Sequence, residues 1–163
     1  MRIRHLSISF EEYDSREDLN GSDRELLNRA MESCENAYPP YSSFHVGAAV
    51  RLSGGLIITG NNQENAAYPS GLCAERVALF YAQAQYPDVA VEAIAIYARP
   101  TGFTLKHPVT PCGACRQVIA EYEHRHGNKT RIIMGNGDGA VQVVEGAEAL
   151  LPLMFYLEEL KKR

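Results

Sequence analysis

The chain lacks any apolar run of about 18 residues, the length a membrane-spanning helix needs. Its opening stretch, "MRIRHLSISFEEYD", has basic residues but no apolar core of a secretory leader, so a cytoplasmic location is expected. A basic excess is also missing. Lys and Arg number 16 against 20 Asp and Glu, a formal net charge of −4. That balance argues against a surface built to grip phosphate backbones. Neither a nucleic-acid nor a membrane partner is therefore expected. Cysteine is scarce, with four in 163 residues. This is too few for a disulfide scaffold, and clustered cysteines in a reducing compartment point to metal binding or catalysis. None of the histidines (His5, His45, His107, His124 and His126) has ligand spacing with a cysteine. No repeat, low-complexity tract or linker divides the chain. Residues 1–163 read as one domain, with 1–21 as an N-terminal extension.

What is present alternates between the two regular periodicities. "IRHLSISFEEY" alternates weakly, as an edge strand could, and "NGSD" reads as a turn and helix cap. Leu26, Leu27, Ala30, Met31 and Cys34 recur at helical spacing and predict a helix over Ser22 to Ala37, ended by "YPPYSS". Val46 to Leu52 and Leu56 to Thr59 predict two strands joined through Gly54-Gly55. A polar loop leads to a helix starting near Cys73 and ending before Pro87. "AVEAIAIYA" predicts a strand. Pro111-Cys112 opens a second helix, stopped at Gly127. "RIIMG" and "VQVVEG" predict two last strands around the turn-like "NGDG", and a short helix follows from Ala147. The pattern implies an α/β layered domain with a mixed, five-stranded sheet.

The chemistry is concentrated in two short stretches, "LCAER" and "PCGACRQV". They read C-x-E and P-C-x-x-C. Zinc takes thiolates readily, and a catalytic site keeps three protein ligands and one open corner. Cys73, Cys112 and Cys115 supply three. Cys34 falls on the apolar stripe of the first predicted helix and reads as core. All three candidate ligands fall at predicted helix N-termini, where partial positive charge favours the thiolate. Three thiolates over-neutralise a divalent ion, so a nearby cation helps, and Arg76 is placed to supply it. Its bland alternative is a solvated helix surface. Glu75 need not be a ligand. It need only reach water in the open corner, as general base and then general acid.

"YSSFHVGAA", "GNNQENAAYPSGLCAER" and "PCGACRQV", in this order, resemble the small three-cysteine cytidine deaminases over about Tyr41 to Gln117. The spacing logic is that of zinc deaminases acting on bases. The resemblance implies a three-layer α/β/α fold, one Zn²⁺ per subunit and a homotetramer. It also implies hydrolysis of cytidine and 2′-deoxycytidine to the uridine products and ammonia, in pyrimidine salvage. It matches Asn62 and Glu64 to the pair that holds the ribose hydroxyls, and Phe44 to the ring that packs on the pyrimidine. Ala66 matches a backbone contact to the base edge, and Phe155 a residue reaching a neighbouring subunit's site. Taken without the family, Phe44 could be ordinary core, and Asn62 and Glu64 solvated turn residues. The chain departs from the pattern at Asn61, where many relatives have cysteine, and at Leu153-Met154, where small residues are common. "ARPTGFTLKHPV" is longer than the usual loop there.

Four other readings compete. A C-x-x-C redox module would leave Cys73 and Glu75 unexplained. A structural zinc module would want Cys34 as fourth ligand. A nucleic-acid-editing deaminase would usually carry histidine in place of Cys73. A blasticidin-type nucleoside deaminase shares the three-cysteine pattern, and "NNQEN" favours cytidine over it.

Overall fold

The computed structural model describes residues 1–137 and 139–155. Residue 138, within the expected turn at 136–139, and the polar tail after 155 lie outside the described residues. In chain order the elements are β1 (Glu11–Tyr13), α1 (Gly21–Cys34), β2 (Phe44–Leu52), β3 (Ile57–Asn61), α2 (Ala74–Gln85), β4 (Val91–Pro100), α3 (Gly113–His126), β5 (Arg131–Asn136) and β6 (Val141–Glu145). The sheet order is β1-β6-β5-β4-β2-β3. Among the described residues, β4 and β5 pair in parallel and the other strand pairs are antiparallel.

Five strands were expected, and among the described residues the sheet has six. The additional strand is β1, three residues at the edge beside β6. It forms the end of the weakly alternating stretch 3–13, which was not counted among the five. Ion pairing anchors it: Glu11 lies 2.7 Å from the Arg131 guanidinium. The same Arg131 reaches buried Asp23 at 2.8 Å, and Arg51 approaches Asp23 at 3.4 Å. Asp23 lies in the first turn of α1, whose cap Asn20 accepts a hydrogen bond from the Asp23 N–H.

Strand alternation divides the core in two. Leu52, Ile94, Ile96, Ile132 and Met134 pack with α2 and α3 on one face. Ala49, Ala93, Ala95, Tyr97 and Ile133 pack with Leu26, Leu27, Ala30 and Cys34 of α1 on the other. The expected α/β/α layering is therefore present. Small residues on the α1 face let that helix lie close to the sheet.

Two glycines set the helix seats. A Cβ on Gly47 would stand 2.0 Å from the Ala30 carbonyl oxygen of α1. A Cβ on Gly60 would stand 2.6 Å from the Ala78 nitrogen and 2.9 Å from the Ala74 carbonyl oxygen of α2. Backbone cannot yield as a flexible side chain can. Gly60→Ala should therefore lift α2 and cost about 2 kcal/mol or more. Thermal unfolding would then move down by several degrees; an unchanged midpoint would contradict the close seat.

Candidate metal centre and its cavity

The strand directions place the site. β3 and β4 are both antiparallel to β2, so they run the same way, and β5 joins them. α2 follows β3, and α3 follows β4. Both helices therefore start at the same edge of the sheet, beyond the carboxyl ends of the strands, where open α/β sheets place their ligands. Cys73 is the N-cap residue of α2, and Cys112 is that of α3. Cys115 lies in the first turn of α3.

The three sulfurs meet there. Cys73 Sγ is 3.7 Å from Cys112 Sγ, and Cys112 Sγ is 3.5 Å from Cys115 Sγ. All three ligand atoms fall within 4.8 Å of one another. A disulfide would bring a pair to about 2.0 Å. Tetrahedral thiolates around zinc, each about 2.3 Å from the ion, stand about 3.8 Å apart. The donor set and its spacing thus fit zinc. Among the described residues no fourth ligand joins the cluster. Cys34 is fully buried in the core on the α1 face, with its thiol pushed up to about 11 by that burial. A four-cysteine structural centre is therefore not built.

The electrostatics favour a thiolate at Cys73. Hydrogen bonding from Cys115, then from Arg76 and Cys112, lowers its pKa to about 5 against the opposing effect of burial. Cys115 is correspondingly pushed up, first by holding its proton toward Cys73 and then by burial. A divalent ion held by the three sulfurs would displace the proton between Cys73 and Cys115. Arg76 Nη2 lies 3.6 Å from Cys73 Sγ. Glu75 is 4% exposed. Burial raises its pKa first, and the Cys73 charge adds to the rise.

Glu75, Cys73 and Cys112 share the wall of a cavity of about 360 Å³ with Phe44, Asn62 and Glu64. Asn62, Glu64 and Cys73 also border a neighbouring cavity of about 420 Å³, where Arg76 and Tyr68 appear. A roomier cavity, about 660 Å³, lies between residues 6–11 and residues 143–154 and shares no residue with the sulfur cluster.

Backbone stitching brings the loop of Asn62 and Glu64 to this place. Tyr38 N–H donates to Asn62 O and Glu64 N–H to Tyr38 O, both at 2.9 Å. Gln63 and Leu72 exchange two bonds of 2.9 Å, which fixes the approach to Cys73. Side chains here have structural work as well. Asn62 Oδ1 accepts from Val46 N–H and its Nδ2 donates to Phe44 O, each at 2.8 Å. One N–H and one lone pair of that amide remain. The Glu64 carboxylate accepts from the N–H groups of Tyr41 and Ser42 and from the Ser42 hydroxyl. The hydroxyl bond leads the effects that hold its pKa below the ordinary carboxylate value.

Two expected residues stand apart. Ala66 is exposed and borders neither cavity near the sulfurs. Phe155 is 53% exposed, and its carbonyl accepts from Gln117 Nε2 at 3.1 Å. One residue escaped notice in the sequence. Arg116 donates to Pro111 O at 2.7 Å, to Thr110 Oγ1 at 2.9 Å and to Leu150 O. It clamps the approach to Cys112. Its position directly after Cys115 was the available signal.

Residues 20–127 match the family described as the cytidine and deoxycytidylate deaminase zinc-binding region. The chain is 41% identical over 137 residues to a cytidine deaminase of Halalkalibacterium halodurans, covering 83% of this chain and 95% of that one. It is 39% identical over 135 residues to one of Sporosarcina psychrophila, covering 83% and 92%. The crystal structure of cytidine deaminase from Burkholderia pseudomallei superposes with a TM-score of 0.71 at 38% identity, over 80% of this chain and 97% of that one. The cytidine deaminase of Mycobacterium tuberculosis gives 0.63 at 30% identity, over 86% and 100%. A three-sulfur cluster inside a zinc-binding region fits one zinc ion per chain. The chain belongs to the cytidine and deoxycytidylate deaminase family.

Proposed function

We propose that this protein hydrolyses free cytidine and 2′-deoxycytidine to uridine and 2′-deoxyuridine, releasing ammonia. The observation that carries this reading is a cluster of three sulfurs, two of which, Cys73 and Cys112, share a cavity wall with the buried Glu75 carboxyl group. Cys73, Cys112 and Cys115 would hold the zinc. Zinc so held supplies a Lewis acid that makes water a nucleophile at neutral pH.

The chain's own groups do the rest. Glu75 takes a proton from the water as its oxygen bonds to C4 of the pyrimidine. It delivers that proton to the ring nitrogen beside C4. The same carboxyl then takes the remaining proton of the hydroxyl added at C4 and gives it to the exocyclic amine, so that the C4–N bond breaks, the C4 carbonyl forms and ammonia leaves. Burial supports this role, because it moves the carboxyl's affinity for a proton upward from that of an exposed glutamate. Arg76 offsets the charge of the thiolates from its place beside Cys73. Phe44 packs on the base. The remaining donor and acceptor of Asn62, with the Glu64 carboxylate, hold the ribose hydroxyls.

Residues 1–163 act as one deaminase domain, and residues 1–21 extend it. The working form is a cytoplasmic homotetramer in pyrimidine salvage. Exposed aromatic residues support the assembly: Tyr68 is 77% exposed and Phe155 53%, with Phe80 and Tyr81 open on α2. Within the assembly, Ala66 contacts the base edge and Phe155 reaches a neighbouring subunit's cavity.

Glu75→Gln should keep its zinc and lose turnover by about 10³-fold or more, since the water loses its proton carrier. Zinc analysis and the ultraviolet change of cytidine, read on one sample, check this. Near-normal turnover would remove Glu75 from the role.

The ribose grip is tested by substrate trimming. Wild type should process 2′,3′-dideoxycytidine about tenfold less efficiently than cytidine, and Glu64→Gln should lose most of that discrimination. A variant that still discriminates as wild type does would place the hydroxyls elsewhere. Faster turnover of a blasticidin-class antibiotic than of cytidine would transfer the assignment to that substrate.

A further inference from the structure

Residues 101–110 carry the chain from β4 to the segment before Cys112, and the deamination chemistry leaves most of this stretch without a task. It is nevertheless fixed at three points. Thr101 N–H donates to Ser43 O at 2.9 Å. Asn136 Nδ2 donates to Leu105 O at 3.3 Å. Arg116 Nη2 donates to Thr110 Oγ1 at 2.9 Å. The far end of the loop, Val109 and Thr110, lines the cavity that contains Glu75.

The near end carries Phe103. Its ring centroid stands 6.3 Å from that of Phe44, with 34° between the ring planes. That separation lies within the range of a favourable aromatic pair. Phe103 is 56% exposed and borders neither cavity near the sulfurs. Holding a large apolar ring in the open gains little burial, so its contact with Phe44 is the feature to explain. The Phe44 backbone is already tied, its carbonyl to Asn62 and its N–H to Ser42 Oγ. Its ring is only half-buried and has no such tie.

We propose that Phe103 is a positioning residue for the nucleoside base and acts through Phe44, which rests on the reading of Phe44 as the base-packing ring. Phe103 backs the outer side of the Phe44 ring and restricts its swing. The cavity wall is then already formed when the base arrives, and less freedom is lost on binding. The effect falls on substrate binding and leaves proton transfer at Glu75 alone.

Steady-state kinetics on the full-length zinc enzyme tests this. Phe103→Ala should raise KM for cytidine about fivefold, the worth of one aromatic pair, with kcat within about twofold. Phe103→Tyr, which keeps the ring, should restore KM. The unfolding midpoint of Phe103→Ala should stay within about 2 °C, because little surface is buried there. Phe44→Ala should raise KM by itself, and adding Phe103→Ala to it should raise KM no further. Phe44→Leu serves the same comparison if the alanine variant does not fold.

A wild-type KM in Phe103→Ala overturns the proposal while Phe44 keeps its role. So do multiplying effects of the two substitutions, or a KM in Phe103→Tyr that stays as high as in Phe103→Ala. A wild-type KM in the Phe44 variant overturns both assignments together.

Discussion

Everything at this site depends on two helix starts facing one another across three sulfurs. Cys73 and Cys112 are the N-cap residues of α2 and α3, and Cys115 follows one turn inside α3. Each helix start contributes partial positive charge and unpaired N–H groups. The arrangement is affordable only because the thiolates carry the opposite charge. It would be repulsive with neutral caps and more so with cationic ones. The parallel run of β3, β4 and β5 brings both starts to one sheet edge, and Gly60 lets α2 approach closely enough for its cap to take part.

Around that meeting, several side chains hold structure and face the cavity at once. Asn62 ties two peptide groups of β2 while bordering both cavities. Glu64 gathers two N–H groups and a hydroxyl from residues 41 and 42. Such bonds lock rotamers, so the polar groups that face a ligand need little rearrangement to bind it. The cost is that substitution at these positions disturbs the loop together with the ligand contact. Single-residue kinetics there reports both, and substrate analogues separate them better than mutation does.

Much of this was legible in the linear chain, for unequal reasons. Helix and strand positions followed from apolar periodicity, and the cysteines announced their chemistry by type and spacing. Cys34 was separable because it shared a stripe with Leu26, Leu27 and Ala30. β1 showed only as weak alternation over 3–13, because its three residues are held by partners far along the chain, the β6 backbone and Arg131. The double duty of Asn62 was equally hidden, since its partners lie on β2 and no local pattern marks them. The Arg116 clamp belongs with these: an arginine beside a metal-type motif can be noticed, but its reach to Leu150 is a tertiary fact. The contact between Phe103 and Phe44 depends in the same way on where two loops end up.

Cys73 and Cys112 stand 39 positions apart in the chain. A clasp between them ties off a ring that contains all of α2 and β4, the central stretch of the molecule. In a disordered polymer such a tie removes a large share of the ways the ring could be arranged, much as a covalent bridge would. The ligands of a chemical centre would then double as a removable knot, and cellular supply of the ion would govern how long each copy of the protein survives.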